Sequence, residues 1–187
     1  TLSDYVDNTI GTENIISAIQ VTSSVRHVIF TSTQYVFQPG DVEPRNEEDY
    51  LPHTEYGQSK VLNELAVRNA NLHCIRTIIR PTNIWGPWHL RYRDQFIRIL
   101  YKGMYFHPKI IGTVKSYGYV GNVVDQIYKI FNTETQSIDN KVLYVGDLPI
   151  KLIDWVNCFS RQIHGKKVRL VPLYLLRALA IIGDIIE

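Results

Sequence analysis

The chain has 187 residues, 45% of them hydrophobic and 20% charged, with a formal net charge of +2 at pH 7. This length allows one domain of ordinary size with a smaller lobe, and the near-balance of charge excludes a role resting on strong attraction to nucleic acid or an anionic membrane. The two cysteines, Cys74 and Cys158, sit in apolar segments without metal-ligand spacing, which reads as a reduced cytoplasmic protein with two core thiols.

The opening TLSDYVDNTI has acids and no apolar core, so it does not read as a signal peptide. Residues 3 to 22 predict a helix with Ile10, Ile15, Ile16 and Ile19 on its apolar side. HVIFTST then reads as a buried parallel strand ending in hydroxyl residues, and the Pro-, Asp- and Glu-rich residues 38 to 54 as a loop. Residues 56 to 70 predict a second helix with Val61, Leu62, Leu65 and Ala66 on its apolar side. HCIRTIIRP is a second strand closed by Pro81, and NIWGPW is a turn. Helix, strand, helix, strand is the alternation of a parallel α/β sheet with right-handed crossovers.

After residue 88 the pattern becomes mixed. RDQFIRILYKG predicts a helix with Phe96, Ile97 and Leu100 inward, Tyr117 to Val120 an extended segment, and Val123 to Phe131 a helix. KVLYVG is a strand and Leu152 to Ile163 a helix. The run VRLVPLYLLRALAIIGDIIE is interrupted by Pro172, Arg177 and Asp184, which fits a buried or interfacial helix rather than a membrane span. The six histidines are scattered without the paired spacing of a zinc site, and Glu47, Glu48 and Asp49 read as solvated loop charge. Arg91, Arg93, Arg98 and Lys102 read as a solvated helix face beside an anionic ligand.

Ligands of open parallel sheets sit at the carboxyl ends of the strands, and three polar stations fall there in order. The first strand ends in Thr31, Ser32 and Thr33; EYGQSK opens the next helix; the second strand ends in RPTNIWGP. Tyr56 and Lys60 are four apart, one turn on a helix face, where an ammonium would lower the pKa of a phenol. These stations, with DNTIGTENIISAI before them and SYGYVGNVVD and KVLYVGDLPI after, resemble the extended short-chain dehydrogenase/reductase superfamily, within it the nucleotide-sugar epimerase, dehydratase and reductase group.

The resemblance implies the C-terminal part of a Rossmann-like parallel sheet with a smaller mixed substrate lobe. Residues 1–88 would be the second half of a dinucleotide-binding domain and 89–187 mostly the substrate-binding lobe, with 117–146 partly returning to the sheet. It implies Thr33 as the hydroxyl bonding the substrate oxygen and the tyrosine, Tyr56 as acid or base, and Lys60 as the ligand of the nicotinamide ribose that, with the cofactor's positive ring, lowers the pKa of Tyr56. Pro81 and Thr82 would meet the nicotinamide of NAD or NADP, and Asn83 the substrate near its diphosphate. Lys115 stands where relatives carry an arginine; a lysine there keeps the charge but gives up the bidentate fork.

Departures narrow the expectation. Sugar 4,6-dehydratases of this group follow the threonine with Asp-Glu, whereas here Gln34 and Tyr35 follow Thr33, and an amide cannot act as the acid. STQYVF is closer to 4-ketoreductases and RPTNIWGP to 4-epimerases, so an epimerase or reductase is expected. The family's glycine-rich diphosphate loop would precede residue 1, so the chain reads as the later part of an enzyme and is expected to be inactive on its own. The partners implied are a nucleotide sugar, no nucleic acid, no membrane span, and a homodimer as the assembly to test. Two alternatives stay open: the same apparatus on an apolar hydroxy or keto substrate, as in hydroxysteroid relatives, and a catalytically silent protein that binds a dinucleotide or a partner.

Overall fold

The computed structural model describes residues 1–40, 43–110, 112–133 and 135–176. The end of the C-terminal apolar run, 177–187, lies outside the described residues, and with it Arg177 and Asp184. Among the described residues no helix is long and apolar enough to cross a membrane.

The chain forms two compact units. The first comprises 1–84 and 121–146, the second 85–120 and 147–187. In the first unit, helix α1 (Val6–Gln20) leads to strand β1 (His27–Thr31), helix α2 (Glu55–Asn69) and strand β2 (Ile75–Pro81). The chain returns to it through helix α3 (Val120–Phe131) and strand β3 (Lys141–Val145). The three strands form one parallel sheet in the order β1, β2, β3, with Thr31 opposite Ile79 and Pro81 opposite Val145. This is the expected α/β parallel core.

The central strand buries apolar side chains on both faces because helices cover both. Ile78 packs with Ile16, Val67 and Val142, the cluster under α1 and α2, while its neighbour Ile79 packs with Val123, Ile130 and Val145, the cluster under α3. Alternation along a strand sends adjacent residues to opposite faces, so a continuous apolar run is what a doubly covered strand requires.

Two helices differ from the periodicity reading. In α1, Ile16 and Ile19 are buried, whereas Ile10 and Ile15 are about half exposed. In α2 the buried positions are Gly57, Ser59, Asn63, Glu64 and Val67, and the predicted Leu62 and Leu65 are exposed. The helix therefore lays a largely polar face on the core, which hydrophobic periodicity cannot detect. Thr54 caps it, its hydroxyl accepting from the Gly57 N–H at 3.0 Å.

The second unit is built on aromatic packing. Tyr117 and Trp155 stack with centroids 4.2 Å apart, and Trp85, Phe96 and Phe159 surround them. Its long helix α4 (Leu152–His164) ends at Gly165, whose φ of 67° is the left-handed cap that glycine adopts without strain. Residues Asn83–Trp85, expected in a turn, are extended, and the turn follows them, with Trp88 at φ 71°. Cys158 is exposed rather than in the core, because α4 buries Trp155, Val156 and Ser160 on its other side; Cys74 is half-buried, and both thiols are free.

Candidate active site

Six of the seven sequence-derived candidates belong to the first unit, at the carboxyl ends of β1 and β2 and the start of α2. Thr33 is buried two residues beyond β1, and its side chain accepts from the Tyr35 N–H at 3.3 Å, capping the short turn Gln34–Val36. Tyr56 lies in the first turn of α2, half-buried against Tyr5, with ring centroids 5.8 Å apart. Lys60, one turn on, donates from Nζ to the Thr31 carbonyl at 3.1 Å and stands 6.0 Å from the Tyr56 ring centroid. Pro81 closes β2, followed by Thr82 and Asn83. Lys115 belongs to the second unit, exposed on the two-residue strand Val114–Lys115.

The protonation of this group differs from the expectation. Burial pushes the Tyr56 phenol above its ordinary value, the nearby Thr33 hydroxyl pulls it part of the way back, and the neighbouring Tyr5 and Tyr35 raise it further. Burial also lowers Lys60. The depression expected from Lys60 is overridden because the ammonium sits over the ring rather than at the hydroxyl, and desolvation penalises the phenolate more.

Several residues of this region escaped the sequence reading. The Tyr35 hydroxyl donates to Asn83 Oδ1 at 2.8 Å, which orients the amide and leaves its N–H₂ free to donate outward. The only sequence signal was the Tyr that follows Gln34. Beneath the site, Glu64 and Arg80 form an ion pair with side chains 1% and 2% exposed. The loop acids are not simply solvated. The Glu47 carbonyl accepts from Arg80 at 2.6 Å, Glu48 pairs with Arg68 at 3.0 Å, and Asp49 pairs with Arg45.

Gly57 sets how closely the Gln34–Val36 turn approaches α2. A Cβ there would lie 2.3 Å from the Tyr35 carbonyl oxygen and 3.2 Å from the Thr54 hydroxyl. In an open helix, alanine would gain about 1 kcal/mol over glycine. Here the clash is with backbone that cannot rotate away, so Gly57→Ala is expected to destabilise by about 1–3 kcal/mol, read as a lower urea midpoint with unchanged m. A gain in stability would show that the turn moves freely and does not hold Thr33 against α2.

The donor set suits the nicotinamide-ribose end of a dinucleotide. Lys60 spends one N–H on Thr31, leaving two for vicinal hydroxyls. The Thr82 hydroxyl is buried without a hydrogen-bond partner among the described residues, against Gly146, where a Cβ would come within 2.2 Å of it.

Comparison with known proteins follows the same residues. The profile of the NAD dependent epimerase/dehydratase family matches residues 2–146. A curated relative from Escherichia coli O157:H7, N-acetyl-alpha-D-glucosaminyl-diphospho-ditrans,octacis-undecaprenol 4-epimerase, is 31% identical over 133 residues, covering 68% of this chain and 40% of the relative. Among solved structures, UDP-N-acetylglucosamine 4-epimerase from Bacillus cereus aligns with a TM-score of 0.76 at 16% identity, over 92% of this chain and 62% of that one. UDP-glucuronic acid 4-epimerase from Bacillus cereus, solved with UDP-glucuronic acid and NAD, aligns with a TM-score of 0.69 at 19% identity, over 90% and 55%. At such identities the structural likeness shows the shared fold. The chain spans 40% of the curated relative's length and a little over half that of these solved structures.

Proposed function

The chain belongs to the NAD dependent epimerase/dehydratase family, and on that basis we propose that it carries the acid–base centre of an NAD(P)-dependent epimerase or ketoreductase acting on a nucleotide-activated sugar. The observation that carries this reading is the grouping of Thr33, Tyr56 and Lys60 at the strand ends, with Lys60 bonded to the Thr31 carbonyl one turn from Tyr56 and Thr33 capping the turn just beyond β1. The two free cysteines suit a reduced, cytoplasmic setting.

In this reading Thr33 and Tyr56 hold the oxygen of the reacting sugar carbon from two sides. Tyr56 gives that oxygen its proton when a ketone is reduced and takes it when an alcohol is oxidised. Lys60 and Tyr56 would hold the nicotinamide ribose, and the backbone of Pro81 and Thr82 the carboxamide. When bound, the nicotinamide supplies or accepts the hydride. Asn83, oriented by Tyr35, would donate to a diphosphate oxygen; Lys115 is carried over from the family resemblance alone as a cationic diphosphate ligand. The polar residue after Thr33 is Gln34, which supplies no carboxylic acid for dehydration.

Inversion at C4 is the first reaction to test, since the named relatives are 4-epimerases. The full-length protein with NAD and UDP-N-acetylglucosamine is expected to yield the C4 epimer, seen as a new anomeric proton signal. No epimer, and no absorbance change at 340 nm with the 4-keto sugar and a reduced nicotinamide, would remove this reading.

A second reading keeps the apparatus and gives the substrate an apolar part. It is favoured by a cavity of about 520 Å³ in the second unit, lined by Trp85, Trp88, Tyr92, Phe96, Tyr119 and Trp155 among others, within the size of ligand pockets. The curated relative's name places its sugar on an undecaprenol diphosphate. All three tryptophans of the chain line this cavity, so their fluorescence reports on it directly. Quenching by a polyprenyl-diphosphate sugar but not by UDP-N-acetylglucosamine would select the second reading.

A further inference from the structure

Two turns along α2 from Tyr56 lies a buried carboxylate that the proposed chemistry does not use. Tyr56, Lys60 and Glu64 are spaced by four and share one helix face. Glu64 is 2% exposed, and both of its oxygens are fully engaged. Oε1 accepts from the Ser32 hydroxyl at 2.5 Å and from Arg80 Nε at 2.9 Å; Oε2 accepts from Arg80 Nη2 at 2.7 Å and from the Tyr50 hydroxyl at 2.9 Å. Four donors fill the acceptor sites of a carboxylate. One side chain of α2 thus holds the chain just beyond β1 and the carboxyl end of β2 at once.

What Glu64 holds is the residue before Thr33. Ser32 is buried, its backbone N–H donates to the Ile79 carbonyl at 2.8 Å, and its hydroxyl goes to Glu64. Thr33 follows with extended backbone and caps the next turn through the Tyr35 N–H. Its hydroxyl is therefore placed by a clamp on one side and a cap on the other. Arg80 is held in turn by Glu47 and Tyr144, and it immediately precedes Pro81 and Thr82.

We propose that Glu64 is a positioning residue. By holding Ser32 and Arg80 together it fixes the Thr33 hydroxyl beyond the end of β1 and, beside it, the end of β2. The inference rests on the reading of Tyr56 as the acid–base group, but its test needs neither cofactor nor substrate. The protein is labelled at tyrosine Cζ with ¹³C and titrated by NMR, with the Tyr56 signal assigned from Tyr56→Phe. The Thr33 hydroxyl acts to favour the Tyr56 phenolate, so displacing it raises the midpoint. Thr33→Val, Ser32→Ala and Glu64→Gln are each expected to move the Tyr56 midpoint up by about one unit, the size of one hydrogen bond to a charged group. Ser32→Ala combined with Thr33→Val is expected to move it no further than Thr33→Val alone, since both act through one contact.

Tyr50→Phe removes another donor from Glu64 but leaves the Ser32 bond, and is expected to lower stability without moving the Tyr56 midpoint. That contrast separates positioning from general loosening. An unmoved midpoint in folded Ser32→Ala overturns the proposal, and so does a shift of equal size in Tyr50→Phe. If Glu64→Gln fails to fold, Ser32→Ala decides alone. A shifted midpoint in a protein without the proposed activity would keep the clamp and remove the functional reading; activity with an unmoved midpoint would do the reverse.

Discussion

Replacing Arg80 with alanine is expected to destabilise the first unit by about 3–5 kcal/mol, enough to remove much of the stability of an ordinary domain. Arg80 is 2% exposed and gives Glu64 two hydrogen bonds, at 2.9 and 2.7 Å. Burial alone would lower the pKa of this guanidinium; the hydrogen bonds and charge of Glu64, with a smaller share from Tyr144, more than offset that and hold it above its ordinary value. Without Arg80 a carboxylate stays in the core with only the two hydroxyls of Ser32 and Tyr50, while the Glu47 carbonyl and the Tyr144 hydroxyl lose a partner. Replacing a buried ion pair with two apolar residues is often neutral. Here Arg80→Met with Glu64→Leu is expected to recover only part of the loss, because the Ser32 hydroxyl would be left buried and unpaired. Urea unfolding of the single and double variants measures both. A loss below about 1 kcal/mol for Arg80→Ala would mean that water enters the site and takes over the hydrogen bonds.

Tyr56→Phe is expected to lower turnover by about 10²–10⁴-fold in the full-length protein, with a much smaller loss of ligand binding from the missing hydroxyl contact. The ring and its packing against Tyr5 are kept, and only the hydroxyl, with its proton and its hydrogen bonds, is lost. A silent dinucleotide-binding protein would show no turnover to lose and unchanged binding, so the same variant separates the two accounts. The wild-type pH dependence follows from the direction of the phenol's shift. Burial holds Tyr56 above its ordinary value, so at neutral pH it is protonated and ready to act as an acid. Oxidation needs the phenolate, whose fraction rises tenfold per unit below the pKa. The oxidative rate should therefore climb with pH through the neutral and mildly alkaline range, and the reductive rate should stay flat there. An oxidative rate independent of pH over that range, with chemistry limiting, would assign the base to another group.

The elements of the first unit were legible because local pattern is enough for them. HVIFT and IRTIIRP are strand-length segments with adjacent apolar residues at Val28–Ile29–Phe30 and Ile78–Ile79, the pattern of a strand covered on both faces. The order of the three polar stations was legible too, since carboxyl ends of parallel strands face the same way and their residues converge whatever the intervening loops do. The polar face of α2 was not. Glu64 looked like any surface glutamate, and only its partners, 32 residues back at Ser32 and 16 ahead at Arg80, make its burial tolerable. Leu62 and Leu65 were assigned inward by periodicity and lie outward because the sheet offers that helix hydrogen-bonding groups instead.

The sequence by itself determined the helices and strands of the parallel core, their order and the family, because these depend on residue type and short spacing. Tertiary structure alone decided that Glu64 and Arg80 are paired in the core, that Tyr35 orients Asn83, that Cys158 faces outward, and that Tyr56 is raised rather than lowered. Each of these depends on desolvation and on partners distant in the chain, and the energy of a polar group is set by what surrounds it once water has gone.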